Sequence, residues 1–180
     1  MDHFYNKVKE NRKSKVPENV WMELLKQQAL PDRTVAHCIS VGELAAQWAG
    51  EINLNNPEMI DEDVAYAGGL LHDMARHMPD HELEGAKILR GLGHDQIADV
   101  VEAHMQLPDW DGKSITEKEL VYAADKVIHE TDHVGIKERY RIAKEKYGHD
   151  RDTISRLDRS EKKALEVMSE IEYLIRYKSI

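Results

Sequence analysis

Residues 68–76 read Gly-Gly-Leu-Leu-His-Asp-Met-Ala-Arg and place a histidine and an aspartate inside an apolar run. Apolar runs of this kind enter the core of a protein, where an ionised carboxylate is too costly to leave unpaired. A cation bound beside His72 and Asp73 removes that cost, and an arginine, Arg76, follows about one helical turn later. The stretch therefore predicts a buried metal-binding point whose other ligands come from elsewhere in the chain.

The composition is that of a globular, water-soluble protein. Of the 180 residues, 41% are hydrophobic and 33% are charged, which is enough apolar material for one core. The net charge of -9 argues against a general nucleic-acid or membrane surface, because both favour a basic face. The single cysteine, Cys38, fits a reducing compartment. We recognise no secretory signal and no apolar span of about 20 residues, so we expect a cytoplasmic protein.

The hydrophobic periodicity is helical wherever it is strong. Proline-led starts predict helices from Pro17 to about Leu30 and from Pro31 to about Ile52. Further helices are predicted from Asp61 to Ala75, from Asp80 to Gly91, from His94 to Gln106, from a Thr116–Glu119 capping box through Ile128, and over residues 134–147 and 160–178. Residues 1–16 are predicted to form a short helix or a loose arm, and no strand is predicted. The sequence therefore predicts an all-α fold.

Ionisable residues on the apolar faces of these helices are the candidate ligands. His37 shares a face with Val41, and Asp125 lies between Val121 and Ile128. A lone histidine on such a stripe is more often a hydrogen-bonded core residue than a ligand, but carboxylates are rarely buried without a partner. Six such residues are more than coincidence allows: His37, His72, Asp73, His81, His104 and Asp125. Imidazole and carboxylate ligands without a thiolate suit Fe, Mn, Zn, Co or Ni rather than Ca.

The order of these residues resembles that of the HD superfamily of metal-dependent phosphohydrolases. The resemblance covers about residues 30–130, and in that family the residues matching His37, His72, Asp73 and Asp125 hold one metal ion. It implies a compact multi-helix HD-domain bundle. The whole chain would then be a single HD domain, with residues 30–130 as its core, 1–29 as an N-terminal helix or arm and 131–180 as C-terminal helices.

Some branches of the superfamily use two further histidines for a second metal ion. These branches include proteins similar to bacterial diadenosine tetraphosphate hydrolases and to cyclic-dinucleotide phosphodiesterases. His81 and His104 lie where those ligands would be, and by this resemblance Asp73 would bridge both ions. Met-Ala follows Asp73 where one version of the motif has Ile-Gly, and the Gly-Tyr-Pro signature of one phosphodiesterase branch is missing. We therefore expect one or two divalent ions, with Fe first and Mn, Ni, Co or Zn as alternatives.

The expected reaction is hydrolysis of a phosphate ester or anhydride of a small molecule, with a nucleotide as the leading candidate. Two ions about 3.5–4 Å apart share one hydroxide, and coordination lowers the pKa of water from 15.7 towards about 7. Arg76 lies on nearly the same helix face as Asp73 and could clamp a phosphate oxygen, which makes these two the candidate catalytic residues. Arg33, Lys126 and His129 are further candidate substrate contacts, and for each a surface role is the alternative.

Two other functions fit the same ligand set. Similar six-ligand HD scaffolds hold mixed-valent di-iron oxygenases, whose activity is lost with Mn or Ni. In a non-catalytic binding module, the metal would only stabilise the fold. Neither a nucleic-acid polymer nor a membrane is an expected partner. The amphipathic final helix can pack on the domain or form a homodimer, and substrate specificity is expected from loops such as 107–115 and from the C-terminal helices.

Overall fold

The structure, a computed structural model, describes residues 18–177 and is built almost entirely of α-helices in that range. The eight described helices are α1 (Glu18–Gln27), α2 (Asp32–Asn55), α3 (Glu62–Leu71), α4 (His81–Gly91), α5 (Asp95–Ala103), α6 (Glu117–Val127), α7 (Ile136–Tyr147) and α8 (Arg151–Arg176). The all-α prediction is confirmed, while the predicted arm over residues 1–16 lies outside the described residues. None of these eight helices is long and apolar enough to cross a bilayer.

Helices α2 and α3 cross so closely that glycine is required at the contact. A Cβ added to Gly69 would lie 2.7 Å from the Cα of Gly42, and a Cβ added to Gly42 would lie 2.9 Å from the carbonyl oxygen of Tyr66. Both obstacles are backbone atoms, which cannot move aside without separating the helices. This contact brings the motif stretch into the centre of the bundle, where Leu70 and Leu71 are fully buried.

Two apolar clusters surround the crossing. One is formed mainly by α2, α6 and α8 and includes Trp48 and Ile171, and the other is formed mainly by α1, α3, α4 and α5 and includes Leu25 and Leu89. The final helix therefore packs on the domain through a buried stripe: Ala164, Val167, Ile171 and Leu174. The single-domain organisation stays a prediction, which this shared packing supports.

A short hairpin interrupts the predicted helical pattern. β1 (Ile128–His129) pairs antiparallel with β2 (Asp132–His133) directly after α6 ends at Val127. Glu130 in its turn has a φ of 55°, in the left-handed region. Two residues per strand are too few to produce a period-two pattern, so the prediction of helix through Ile128 without any strand was wrong here.

The helix caps explain where the later helices begin. The predicted capping box is present at the start of α6, where the Glu119 carboxylate accepts the backbone N–H of Thr116. Helix α8 begins at Arg151 rather than at residue 160, because the Asp150 side chain accepts the backbone N–H of Thr153 and caps the helix there. The predicted start of the final helix was therefore wrong by about two turns.

Candidate metal centre

The motif stretch leaves helix α3 just before its two candidate ligands. The helix ends at Leu71 instead of continuing to Ala75 as predicted, and residues 72–77 form consecutive turns. Their backbone bonds span three residues rather than four, as in the donation from the Arg76 N–H to the carbonyl oxygen of Asp73 at 2.9 Å. The apolar end of α3 thus carries the His-Asp pair into the bundle, and the turns then lead the chain back outward.

The first group of ligands gathers around His72. Its Nε2 lies 3.7 Å from Oδ2 of Asp73 and 3.7 Å from Oδ1 of Asp125. His37 approaches the same carboxylate, with its Nε2 3.1 Å from Oδ1 of Asp125. Potential ligand atoms of His37, His72 and Asp73 all lie within 4.8 Å of one another. Three separate parts of the chain therefore converge on one point.

The second group shares the carboxylate of Asp73. The Nε2 atoms of His81 and His104 lie 3.0 Å and 3.7 Å from Oδ1 of Asp73, and 3.2 Å from each other. The other carboxylate oxygen, Oδ2, faces His72 of the first group. One carboxylate thus presents a different oxygen to each group, which is the arrangement expected of a bridging ligand.

Backbone carbonyls orient three of the four imidazoles. A carbonyl oxygen can only accept a hydrogen bond, so the Nδ1 that contacts it carries a proton, and in the neutral form of the ring Nε2 then keeps its lone pair. The pairs are His37 Nδ1 with Glu130 O at 2.9 Å, His72 Nδ1 with Gly69 O at 2.7 Å, and His104 Nδ1 with Val101 O at 2.6 Å. Metal-binding histidines are commonly oriented in this way.

One buried nitrogen fits a metal ion directly. His72 Nε2 is buried and has no hydrogen-bond partner among the described residues. Leaving such an atom unpaired costs about 1–3 kcal/mol, so a native structure needs a reason for it. A cation at this position would accept the lone pair and balance the charges of Asp73 and Asp125. The donor set of imidazole nitrogens and carboxylates suits a divalent transition metal.

The pKa values of His72, His104 and Asp125 favour the protonation states that bind a metal. Burial, followed by the charge of His72, lowers the pKa of His104 to about 3, and burial also lowers the pKa of His72. Burial acts to raise the pKa of Asp125, but the Lys126 ammonium and the hydrogen bond from His37 outweigh it and hold that pKa well below its ordinary value. Neutral imidazoles and ionised carboxylates are the forms that coordinate metals. For His37, burial is outweighed by Asp125 and the pKa is raised.

Lys126 is occupied by the cluster itself. Its ammonium donates to Oδ2 of Asp125 at 2.6 Å and to the carbonyl oxygen of His104 at 3.1 Å, and the side chain is only 12% exposed. The sequence suggested a phosphate contact or a solvated surface lysine. The structure instead places Lys126 where it turns the other oxygen of Asp125 towards the histidines.

Arg76 lies at the outer edge of the second group. Its Nη1 is 3.3 Å from Oδ1 of Asp73 and 3.2 Å from Nε2 of His81. About half of the side chain is exposed. Arg76 therefore lies beside the candidate ligands and is open to solvent, and its contact with a phosphate stays a prediction.

The centre opens into a cleft of about 670 Å³. Basic side chains line much of it: Arg33, Arg76, His77, Lys126, His129, Arg139 and Lys146. The acidic side chains that line it are the two ligands Asp73 and Asp125, together with Glu130. A chain of net charge -9 therefore has a cleft suited to an anion.

Part of this cleft was not identified from the sequence. Arg139, Lys146 and Tyr147 reach it from α7, but a charged helix of this composition gives no signal that separates cleft residues from ordinary surface residues. Residues 107–115, from which specificity was expected, border a separate groove and do not line this cleft. His133 of β2 lines a different groove.

Comparison with known proteins identifies one family. The sequence model of the HD domain matches residues 34–130, which is more than half of the chain. The matched region contains the ligands of both groups and ends in the hairpin turn at Glu130. No curated protein and no solved structure matches the chain.

Proposed function

The chain belongs to the HD domain family of metal-dependent phosphohydrolases, and from this premise we propose that it hydrolyses a small phosphorylated substrate, with a nucleotide as the leading candidate. The observation that carries the proposal is the buried cluster of four histidines and two aspartates beneath a cleft lined by cations. In the net reaction one water is consumed and one P–O bond breaks. The products are a phosphate and either an alcohol or a second phosphate.

Two metal ions fit the two groups of ligands. One would be held by His37, His72, Asp73 and Asp125, and the other by Asp73, His81 and His104. When bound, such ions lower the pKa of coordinated water from 15.7 towards about 7 and supply a nucleophile at neutral pH. The two oxygens that Asp73 presents to different groups support a binuclear centre. Iron is the first candidate, with Mn, Ni, Co and Zn as alternatives.

Arg76 and the other cleft cations would bind the substrate. Arg76 is about half exposed, so its guanidinium can reach a phosphate oxygen while Nη1 stays beside Oδ1 of Asp73, and a guanidinium binds phosphate through two parallel hydrogen bonds. Arg33 and His129 line the same cleft and would contact the rest of an anionic substrate. The two additional histidines support a branch similar to the bacterial diadenosine tetraphosphate hydrolases.

The first experiment is elemental analysis of protein purified without chelator, followed by assays for phosphate release. We would test p-nitrophenyl phosphate and a panel of nucleotides with the native metal and with Mn. We expect about two transition-metal ions per chain and phosphate release that persists with Mn, as hydroxide chemistry requires no redox change.

The matched control is Asp73→Ala, which removes the carboxylate shared by both groups. Metal affinity and activity should fall together in this variant. Each should fall by more than the roughly 10–100-fold seen when a residue that only hydrogen-bonds to a metal ligand is replaced. An iron-loaded protein that consumes O₂ but releases no phosphate from any substrate would overturn the hydrolase in favour of the oxygenase. A metal-loaded protein with neither activity would favour the binding module.

A further inference from the structure

One face of helix α7 forms the wall of the cleft away from the metal ligands. Arg139, Ala143, Lys146 and Tyr147 all line the cleft. They are spaced by four, three and one residues, so they share a face of the helix. This helix follows the region that matches the HD domain, which ends at residue 130. The wall therefore lies outside the matched region.

The two cations on this face have no acidic partner. Within residues 18–177 no carboxylate lies within ion-pair distance of Arg139 or Lys146, and Arg139 contacts protein through Nε, which donates to the carbonyl oxygen of Ile128 at 3.0 Å. By contrast, Arg141 and Lys144 on the same helix each contact two carboxylates. In a chain with 34 acidic and 25 basic residues, neighbouring acids are plentiful. Cations that face the cleft without an ion-pair partner are available to bind an anionic ligand.

Tyr147 adds an aromatic surface to the same wall of the cleft. Its side chain is 53% exposed, and Nζ of Lys146 lies 5.0 Å from the centre of its ring. The hydrogen bond from Lys146 lowers the pKa of Tyr147, with smaller contributions from the charges of Arg76 and Arg139. Tyr147 lines the same cleft as Arg76 and Arg139. An exposed ring in such a place can stack on a nucleic-acid base.

We infer that this face of α7 selects the substrate, with Arg139 and Lys146 binding phosphate groups that are not cleaved and Tyr147 packing on the base. Arg139 and Lys146 are separated by seven residues, or about 10 Å along the helix. That distance is more than one phosphate group covers, so the preferred substrate is a nucleotide with two or more phosphates rather than a monophosphate. The inference rests on the proposed function, because it names the substrate class of the same site.

The test compares the double variant Arg139→Met/Lys146→Met with the natural chain. Binding of the non-hydrolysable triphosphate β,γ-methylene-ATP would be measured by titration calorimetry. We expect the dissociation constant to rise on the order of 10-fold for each cation removed, since a hydrogen bond to a charged group contributes about that factor. The ratio of kcat/KM for ATP to that for p-nitrophenyl phosphate should fall by a similar factor. Arg141→Met is the matched control, because it changes the same residue type on the other face of α7 and should alter neither value.

The role of the ring is tested separately with Tyr147→Leu. This variant should weaken binding of β,γ-methylene-ATP while leaving binding of inorganic tripolyphosphate unchanged, because tripolyphosphate has no base. Equal weakening of both ligands would overturn the stacking role.

Different results would overturn the phosphate-binding role of α7 and the proposed hydrolase activity. If the double variant binds β,γ-methylene-ATP as the natural chain does, the role of α7 is wrong whatever the activity. If p-nitrophenyl phosphate and all nucleotides remain uncleaved by the metal-loaded natural chain, the proposed function is wrong. The calorimetric comparison then still decides whether α7 binds phosphates.

Discussion

At the scale of single residues, His72 has the most restricted environment in the centre. Its Nδ1 donates to the carbonyl oxygen of Gly69 at 2.7 Å, and its buried Nε2 has no partner among the described residues. The neighbouring Asp73 turns one oxygen to this nitrogen and the other to His81. A metal ion held by these atoms would therefore be positioned largely by the backbone geometry at the end of α3.

Replacement of His104 should empty one metal position only. His104→Ala removes a ligand of the second group, while the first group keeps its four candidate ligands, so metal content should fall from about two ions to about one. Elemental analysis would measure this, with circular dichroism to check the fold, because His104 is almost fully buried.

His81, the more exposed histidine of the second ligand group, provides a control for folding. His81→Ala should lower the metal content in the same way, and the His81 side chain is 13% exposed against 1% for His104. Retention of both ions in the two variants would exclude the binuclear assignment.

Arg76→Met separates substrate binding from metal binding. Arg76 is a cation that lies 3.3 Å from Oδ1 of Asp73 but cannot itself coordinate a metal. We expect kcat/KM for phosphate substrates to fall about 10–100-fold, since a charged hydrogen bond to the phosphate is lost, with metal content unchanged. Steady-state kinetics and elemental analysis would measure the two effects.

A distant arginine serves as the control for this variant. Arg90 pairs with Asp99 and Glu102 outside the cleft, so Arg90→Met should preserve both the kinetics and the metal content. Loss of metal in Arg76→Met would show that the arginine orients Asp73 instead of binding substrate.

At the scale of secondary-structure elements, the crossing of α2 and α3 and the hairpin after α6 build the first ligand group. The crossing positions His72, and the turn of the hairpin supplies the carbonyl oxygen of Glu130 to Nδ1 of His37 at 2.9 Å. His37 and Glu130 are 93 residues apart in the chain. The site thus depends on a crossing of two consecutive helices and on a contact between segments 93 residues apart.

Gly69→Ala should destabilise the protein through this crossing. The added methyl group would lie 2.7 Å from the Cα of Gly42, and overpacking of a close-packed contact typically costs about 1–3 kcal/mol. The free energy of unfolding from urea titration would measure the loss.

Gly91→Ala is the matched control in a helix. A Cβ at Gly91 meets nothing within 4 Å, so the same change there should leave the free energy of unfolding unchanged or raise it by about 0.4–1 kcal/mol. Equal effects of the two substitutions would contradict the role assigned to the crossing.

At the scale of the whole molecule, charge is distributed unevenly. The chain carries a net charge of -9, yet the cleft above the ligands is lined by arginines, lysines and histidines. The family-matched region contains the candidate metal ligands, and α7 forms the opposite wall of the cleft. If the proposed roles hold, residues outside the matched region contribute to recognition of the substrate.

Metal removal should lower the stability of the whole protein. At a free-ion concentration of about 100 times the dissociation constant, binding to the folded state alone adds about 2.7 kcal/mol. For a chain of this length that corresponds to roughly 5–10 °C in Tm. Calorimetry before and after chelation and Mn addition would measure the shift, and an unchanged Tm at saturating metal would contradict binding at the buried cluster.

The sequence by itself determined the helical class, the HD motif and the six candidate ligands. These features depend on local periodicity and on the cost of burying a charge, and both can be evaluated from neighbouring residues. His37, for example, could be predicted because it shares a helical face with Val41.

Only the tertiary structure decided the end of α3 at Leu71, the hairpin and the α7 wall of the cleft. The sequence predicted helix through Ala75 and no strand at residues 128–133, because local propensity does not contain the long-range contacts that end a helix or pair two short strands. Likewise Arg139 and Arg141 are indistinguishable as charged residues of one helix, yet one faces the cleft and the other pairs with carboxylates. Which side of a charged helix faces a site depends on packing between distant segments, and a local pattern carries no information about that packing.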